Sequence, residues 1–253
     1  MKVRVLGCSG GIGEGRHTTS FLIDDDILID AGTGLTRLDL AALGRIRHLF
    51  ISHSHLDHIL CLPTLLDSIS DTLTEPLVVR ALPEVIDSLR AHIFNGDIWP
   101  DFARIPSPEQ PFMRYQTIRV GEAVRLGGRE ITAIPAHHGK PAVGYCMRGA
   151  HSSLIYSGDT RSHPALWDFA NACPDIRHLI VETSFGNNQQ ALAEVSWHYC
   201  PATLLPDLDR LKPGVEVWIT HLKPGNENAI LDEIQAGAGR APRALAVDQM
   251  FEL

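Results

Sequence analysis

The chain lacks the features that mark nucleic-acid-coating proteins and disulfide-stapled proteins. Its 253 residues include only four lysines, and 22 basic against 30 acidic residues give a formal net charge of -8. This balance argues against a protein whose main task is to coat a nucleic-acid backbone, although it leaves room for a local basic groove. The five cysteines are an odd number, and no two of them form a CxxC pair. We therefore expect neither a disulfide framework nor a cysteine-based zinc finger.

Long apolar segments are also missing. No apolar run in the sequence approaches the ~18 residues of a membrane span. The apolar stretch at the N-terminus contains Arg4, and it is shorter than the ~7 to 15 residues that a signal peptide needs. The sequence therefore predicts a cytoplasmic protein with no membrane partner.

Composition and length are those of an ordinary globular protein. Hydrophobic residues make up 44% of the chain, charged residues 21% and aromatic residues 6%, as is usual for this class. No linker or repeat divides the sequence, so we expect one domain over residues 1–253. The least regular part is a proline-rich excursion at about 95–116. A long irregular segment of this kind serves as a lid, an oligomer contact or a cap on the core.

Short apolar runs bounded by turn residues predict strands, and stretches with apolar spacing of three and four predict helices between them. The predicted strands are Val3–Leu6, Ser20–Ile23, Ile27–Ile29, His48–Ile51, Leu77–Arg80, Ile131–Ile134, Tyr145–Met147, Leu154–Tyr156, Leu179–Val181 and Val215–Ile219. The predicted helices are Ile59–Ile69, Pro83–Phe94, Pro201–Leu211 and Asn226–Ala236. Because both halves interleave strands with helices, we expect layered α/β or α+β architecture. Two packed sheets with helices outside fit this mixture.

A glycine-rich segment at residues 7–13 follows the first predicted strand and superficially resembles the phosphate-binding turn of a dehydrogenase. Such a turn holds a pyrophosphate only where a helix begins. Here residues 14–23 run through glycine and threonine into another strand pattern, and no Tyr-xxx-Lys pair is present. We interpret the segment as a loop between two strands.

Histidine is abundant, with 13 residues, and the most informative group follows the strand predicted at His48–Ile51. Residues 53–58 read HSHLDH, and a helix pattern follows them. Alternation along an extended chain points His53 and His55 the same way, while Asp57 and His58 at the turn face a neighbouring point. Two adjacent sets of nitrogen and oxygen ligands predict a centre for two metal ions.

Three later strands end in residues that would complete such a centre. His137 and His138 follow the strand predicted at Ile131–Ile134. Asp159 follows the strand at Leu154–Tyr156, and His221 follows the strand at Val215–Ile219. For six other histidines no partner stands at ligand spacing, so we expect ordinary surface or core roles; they are His17, His48, His92, His151, His163 and His178.

Together these motifs resemble the metallo-β-lactamase-fold hydrolases and, within them, the phosphodiesterase branch. The segments at 180–185, 193–201 and 220–225 look most like the class II 3′,5′-cyclic-nucleotide phosphodiesterases, although Trp197 stands where those enzymes carry a small residue. The resemblance covers nearly the whole chain. It implies an αββα sandwich of two mixed β-sheets flanked by helices.

The resemblance also implies that the chain binds two divalent metal ions. Zn²⁺ is the first choice, and Mn²⁺ or Fe²⁺ are the alternatives. One ion would take His53, His55 and His138, the other Asp57, His58 and His221, with Asp159 bridging them. His138 is preferred to His137 because of its six-residue spacing from Gly144, which leaves His137 as a neighbour or a substrate contact.

The implied reaction is hydrolysis of a small cyclic nucleotide by a hydroxide that bridges the two metal ions and attacks phosphorus. His198 would protonate the leaving oxygen, Asp57 would orient the hydroxide, and Asp30 would hold a ligand histidine or the backbone from behind. Lys223, beside His221, is either a substrate contact or an exposed helix-start residue.

Alternative functions remain open on the same motifs. The first is a tRNA 3′-end endonuclease, which the acidic charge and missing basic arm make less favourable; another cyclic-phosphate, β-lactam or thioester hydrolase is a further choice. From a different class, the chain could be a non-catalytic binding module of the same fold. The expected partners are a small phosphodiester substrate and a second copy in a homodimer, because twofold dimers are the commonest assemblies.

Overall fold

The computed structural model describes residues 1–253 and contains two seven-stranded sheets that face each other. The first sheet has the order β14-β1-β2-β3-β4-β5-β6 and the second β13-β12-β11-β10-β9-β8-β7. The strands of the first sheet are β1 (Lys2–Gly7), β2 (Ser20–Ile23), β3 (Ile27–Ile29), β4 (His48–Phe50), β5 (Leu77–Ala81), β6 (Met113–Thr117) and the returning last strand β14 (Met250–Glu252). Those of the second are β7 (Ala123–Leu126), β8 (Arg129–Pro135), β9 (Val143–Arg148), β10 (Ser153–Tyr156), β11 (Ile176–Glu182), β12 (Glu216–Thr220) and β13 (Arg243–Ala244).

Both sheets have the same internal pattern. Strands β14, β1, β2 and β3 pair antiparallel, and β3 to β6 pair parallel. In the second sheet, β7 to β10 pair antiparallel and β10 to β13 parallel. Strands β2, β3 and β10 are buried at every residue. This explains their continuous apolar runs, because one face meets the opposite sheet and the other lies beneath covering segments.

Helices cover the outer faces. Their bounds are α1 (Leu40–Leu43), α2 (Leu56–Ile59), α3 (Leu62–Ile69), α4 (Pro83–His92), α5 (Pro164–Ala172), α6 (Gln190–Ser196), α7 (Pro201–Leu208) and α8 (Glu227–Gly237), with 3₁₀ turns at Thr33–Arg37, Ser70–Thr72 and Asn187–Gln189. Apolar side chains of α3 and α4 share a core with β4 and β5, and those of α5, α7 and α8 share one with β11 and β12. A third core lies between the sheets and includes Phe21, Phe50 and Tyr145. The predicted αββα sandwich is confirmed.

The helix predicted at Ile59–Ile69 is wrong in its bounds, because the structure breaks it into α2 and α3. Pro63 lacks a backbone N–H and stands in the first turn of the second helix, where it is tolerated. At the break, the Cys61 N–H donates to the Ala31 carbonyl at 2.9 Å, and the Ala31 N–H donates to the His58 carbonyl at 2.7 Å. The break therefore clamps the histidine motif to the end of β3.

The irregular excursion at about 95–116 needs one correction, because its last residues belong to β6, which begins at Met113. This strand pairs with β5 alone and exposes most of its polar side chains, so its sequence carries no buried apolar run. Residues 95–112 contain no helix or strand. Their Phe102 is buried, and Trp99 and Phe112 pack on the first sheet's outer core. Helices α1, α5 and α6 and the edge strands β7, β13 and β14 were not predicted from sequence either.

One buried hydrogen bond joins the two sheets below the histidine motif. The Tyr145 hydroxyl on β9 donates to the Ile51 carbonyl, just after β4, at 2.7 Å. Both residues are fully buried. The bond therefore fixes the spacing between the end of β4 and the second sheet.

We expect Tyr145→Phe to lower the free energy of unfolding by about 1 to 2 kcal/mol, because the Ile51 carbonyl loses its buried donor. Urea unfolding measures the change. Tyr115→Phe is the matched control, since the Tyr115 hydroxyl is buried without a hydrogen-bond partner. Equal losses in the two variants would show that the inter-sheet bond does not stabilise the fold.

Candidate metal centre

The residues predicted as ligands come together at one edge of the sandwich. They follow the ends of four strands, with the HSHLDH motif after β4, His138 after β8, Asp159 after β10 and His221 after β12. Main-chain hydrogen bonds fix these ends to one another, for example from the Arg161 N–H after β10 to the His137 carbonyl after β8 at 3.0 Å. The convergence follows from the topology, because these strands all point their carboxyl ends towards this edge.

One group of side chains comprises His53, His55, His138 and Asp159, whose ligand atoms all lie within 4.8 Å of one another. The Nε2 atom of His138 is 3.2 Å from Nδ1 of His55. The Nε2 atom of His53 is 3.7 Å from Oδ2 of Asp159. Three imidazole nitrogens and one carboxylate oxygen therefore surround a common point.

A second group shares Asp159 and adds Asp57, His58 and His221 within the same 4.8 Å limit. The Nε2 atom of His221 is 3.1 Å from Oδ2 of Asp57 and 3.3 Å from Oδ2 of Asp159. The Nε2 atom of His58 is 3.4 Å from that same Asp159 oxygen. Asp159 thus stands between the two groups, as predicted for a bridging carboxylate.

The chemistry of these atoms fits divalent metal ions. His53 Nε2, His58 Nε2 and Asp159 Oδ1 are buried without any hydrogen-bond partner in the protein, a costly state for polar atoms. Zinc-to-nitrogen and zinc-to-oxygen bonds of ~2.0 to 2.2 Å place neighbouring ligand atoms roughly 3 to 3.5 Å apart in tetrahedral geometry. Several of the observed separations, from 3.1 to 3.4 Å, fall in that range.

Buried groups behind the ligands set their orientation. The Nδ1 of His58 donates to Oδ2 of Asp30 at 2.8 Å, and Asp30 also accepts from the N–H and hydroxyl of Ser52 at 2.7 and 2.8 Å. Asp30 is fully buried and adopts a left-handed φ of 59°. The structure therefore places it behind His58, where such a carboxylate fixes the ring and its tautomer.

Two other ligand histidines are held in the same way. The Nδ1 of His138 donates to the Trp197 carbonyl at 3.1 Å, and the Nδ1 of His221 lies 2.9 Å from the Ser184 hydroxyl. Each bond turns the opposite nitrogen, Nε2, towards the cluster. Gly10 serves the same end, because a Cβ there would lie 2.4 Å from the His221 carbonyl oxygen. The glycine-rich segment thus packs against a ligand strand end.

Burial gives three of the candidate ligand histidines, and neighbouring charge gives Asp159, the protonation state that a metal ion requires. Burial lowers the pKa of His53 well below its ordinary value and also lowers that of His55 and His138, so these rings are neutral at pH 7. Burial alone would raise the pKa of Asp159, but His221 and His58 outweigh it and hold that pKa well below the usual range. Metal binding needs neutral imidazoles and ionised carboxylates.

The raised pKa of His58 shows that the buried carboxylates around it favour a positive charge. Burial opposes its protonation, yet Asp159 and Asp30 raise its pKa well above the ordinary value. Two buried carboxylates thus attract a cation to the Nε2 side of this ring, where a divalent ion supplies the same charge.

Sequence reasoning gave no role to Glu182, at the end of β11. Its carboxylate is fully buried and lies 2.8 Å from Nδ1 of His198 and 3.0 Å from the Thr160 N–H. Ser184 donates to its other oxygen at 3.1 Å. The sequence did contain a signal for Glu182, because it is an acidic residue at the end of the mostly apolar strand β11. His198 itself keeps 8% of its surface exposed, and its Nε2 makes no hydrogen bond within the protein.

The remaining predicted residues lie outside the two groups. His137 is exposed, and its ring packs edge-on against Trp197 with centroids 4.8 Å apart. Lys223 donates to the Gly10 carbonyl at 2.7 Å, which gives it a structural partner. None of the six histidines expected to have ordinary roles belongs to a metal-binding group.

The family comparison agrees with this geometry. Residues 25–237 match the family described as the beta-lactamase superfamily domain, which covers most of the chain. The protein belongs to this superfamily, and the resemblance predicted from the motifs is confirmed.

Individual curated proteins are also similar to this chain in sequence. The chain is 26% identical to a probable 3′,5′-cyclic-nucleotide phosphodiesterase of Yersinia pestis, over 93% of this chain and 84% of that protein. It is 24% identical to a 3′,5′-cyclic-nucleotide phosphodiesterase of Schizosaccharomyces pombe, over 71% of this chain and 58% of the relative. A ribonuclease Z of Halorubrum lacusprofundi is 28% identical over 58% of this chain and 47% of its own length.

Solved structures share the fold. Unliganded yeast PDE1 matches with a TM-score of 0.80 at 20% identity, covering 100% of this chain and 99% of that one. The metallo-β-lactamase-fold protein YhfI of Bacillus subtilis matches with a TM-score of 0.79 at 17% identity, covering 99% of each. In the protein itself, no helix has the length and apolar character to cross a bilayer.

We expect Asp30→Asn to weaken metal binding about 10- to 100-fold, because His58 loses the carboxylate that fixes its tautomer. Asparagine tolerates the left-handed backbone at this position. Competition with a chromogenic chelator for Zn²⁺ measures the affinity. Asp67→Asn, on the exposed face of α3, is the control, and equal affinities in both variants would contradict the role assigned to Asp30.

Proposed function

We propose that this protein is a metal-dependent phosphodiesterase that hydrolyses a small cyclic nucleotide such as 3′,5′-cAMP or 3′,5′-cGMP. The observation that carries the proposal is the pair of His/Asp groups that share Asp159. His198 lies beside them and is hydrogen-bonded to the buried Glu182. The names of the Yersinia pestis and Schizosaccharomyces pombe relatives support the substrate class.

We assign two divalent ions to the site, with Zn²⁺ as the first choice and Mn²⁺ or Fe²⁺ as alternatives. His53, His55 and His138 would hold one ion, Asp57, His58 and His221 the other, and Asp159 would contact both. When bound, such ions lower the pKa of water and neutralise charge that develops on phosphate oxygens.

The protein's own groups would handle positioning and protons. The Asp57 side chain is 27% exposed, so one of its oxygens can orient the attacking water as well as bind metal. His198 would give a proton from Nε2 to the leaving oxygen. Glu182 supports this role because its carboxylate accepts a hydrogen bond from Nδ1–H and raises the pKa of His198 against the opposing effect of burial.

A tRNA 3′-end endonuclease is the second candidate, favoured by the likeness to the ribonuclease Z of Halorubrum lacusprofundi. The human short-form tRNase Z also shares the fold, with a TM-score of 0.68. The net charge of -8 and the four lysines favour the smaller substrate, because RNA binding draws on a basic surface. A homodimeric assembly and a cytoplasmic location stay predictions.

The decisive assay compares substrates on metal-reconstituted protein. We expect turnover of cAMP or cGMP with Zn²⁺ or Mn²⁺ and none after chelation of the metal. Cleavage of precursor tRNA without cyclic-nucleotide turnover would replace the proposal by the endonuclease. Binding of less than one metal per chain, with His55→Ala unchanged, would instead support a non-catalytic module.

We expect His198→Ala to lower kcat for the cyclic nucleotide about 10²- to 10⁴-fold, because the leaving alkoxide loses its proton donor. The loss should be much smaller with bis(p-nitrophenyl) phosphate, whose acidic phenol leaves without a proton. Steady-state kinetics on both substrates measure the difference, with His92→Ala on the surface of α4 as the control. Equal losses on the two substrates would reduce His198 to a structural residue.

A further inference from the structure

A cation and two aromatic rings form a stack beside the metal centre, consisting of Arg161, Trp197 and His137. The Arg161 Cζ lies 3.9 Å from the centroid of the Trp197 ring. The His137 ring meets the same indole at 4.8 Å and an interplanar angle of 85°. Arg161 and Trp197 are half-buried and His137 is exposed, so the stack borders solvent.

The main chain ties this stack to the ligands from two sides. Trp197 adopts a left-handed conformation at the end of α6, with φ 62° and ψ 46°, and its carbonyl accepts the hydrogen bond from Nδ1 of His138 at 3.1 Å. Arg161 follows the bridging Asp159 by two residues, and its N–H donates to the His137 carbonyl at 3.0 Å. The backbone therefore fixes the main chain of Arg161 and of Trp197 relative to the cluster, and the Trp197 ring holds the guanidinium.

The guanidinium is free to bind an external group. No carboxylate lies within ion-pair distance of Arg161, whereas Arg129 and Arg148 on the surface of the second sheet do have such partners. Stacking on an indole fixes the plane of a guanidinium but leaves its in-plane N–H donors available. Two parallel N–H groups suit a pair of acceptors in one plane, such as two phosphate oxygens or O6 and N7 of guanine.

We propose that Arg161, held over the ring of Trp197, is a substrate-binding residue that donates two hydrogen bonds to a planar pair of acceptors on the substrate. The inference rests on the proposed phosphodiesterase function and adds a specificity element to it. His137 braces the indole from its edge, which gives this exposed histidine a positioning role.

Kinetics of Arg161→Met and Arg161→Lys test the contact. We expect KM to rise about tenfold or more in both variants while kcat changes little, since lysine keeps the charge but loses the planar pair of donors. A rise with cGMP, cAMP and bis(p-nitrophenyl) phosphate alike assigns the contact to phosphate oxygens. A rise with cGMP alone assigns it to guanine. Arg177→Met, an exposed arginine at the start of β11, is the matched control.

The indole has its own test. Trp197→Leu keeps the backbone carbonyl that contacts His138 but removes the ring beneath Arg161. We expect its KM to rise as in the Arg161 variants, with rescue by Trp197→Phe and unchanged metal content. A fall in metal content with unchanged KM would assign Trp197 to the metal centre alone and overturn its role under Arg161.

Binding measurements separate this inference from the proposed function. Calorimetric titration of the metal-loaded protein with 5′-GMP and 5′-AMP reports the contact without turnover, and Arg161→Met should weaken binding of at least one nucleotide about tenfold. If the wild type hydrolyses none of the substrates but binds nucleotide through Arg161, the proposed function fails and the contact stands. If both nucleotides bind the wild type and Arg161→Met equally, or bind neither, the contact is overturned.

Discussion

The rest of the structure depends on the burial of Asp159. Its carboxylate is 1% exposed and lies within 3.7 Å of ring nitrogens from His53, His58 and His221. A buried charge is tolerated only where opposite charge or hydrogen bonds compensate it, and one of its oxygens has no partner in the protein. The buried carboxylate is therefore stable only because the neighbouring strand ends place histidine nitrogens around it and leave room for a cation.

The topology of the two sheets brings these strand ends together. Two sheets with the same sequence of antiparallel and parallel pairings bring the carboxyl ends of β4, β8, β10 and β12 to one edge. The Tyr145–Ile51 bond holds the sheets in register beneath this edge. Buried acceptors then orient the candidate ligands, namely Asp30 behind His58 and the Trp197 carbonyl behind His138. Rigid elements thus carry the site, which is the arrangement that gives precise ligand geometry.

Under the proposed function, the proton donor and the metal ligands are different side chains at the same edge of the sandwich. Glu182 lies behind His198 and accepts the hydrogen bond from its Nδ1–H, which leaves Nε2 free. Arg161 and Trp197 stand on the side of His138. Attack, protonation and substrate contact would therefore be served by different side chains around one cluster. A Glu–His pair of this kind keeps an imidazole basic despite burial, because the carboxylate offsets the cost of desolvating its charge.

The sequence by itself determined the candidate ligands and the strands that carry them. Each ligand stands within a few residues of an apolar run, and both the run and the histidine or aspartate are local properties of the chain. Edge strands such as β6 were not predicted because each buries at most one residue and so carries no apolar pattern. The resemblance already placed Asp30 behind a candidate ligand, but only the tertiary structure decided that its partner is His58 and that Glu182 supports His198. Asp30 and His58 are 28 residues apart, and Glu182 and His198 are 16 apart. These pairs meet because the sheets pack, and no periodicity in the sequence records a contact between segments so distant.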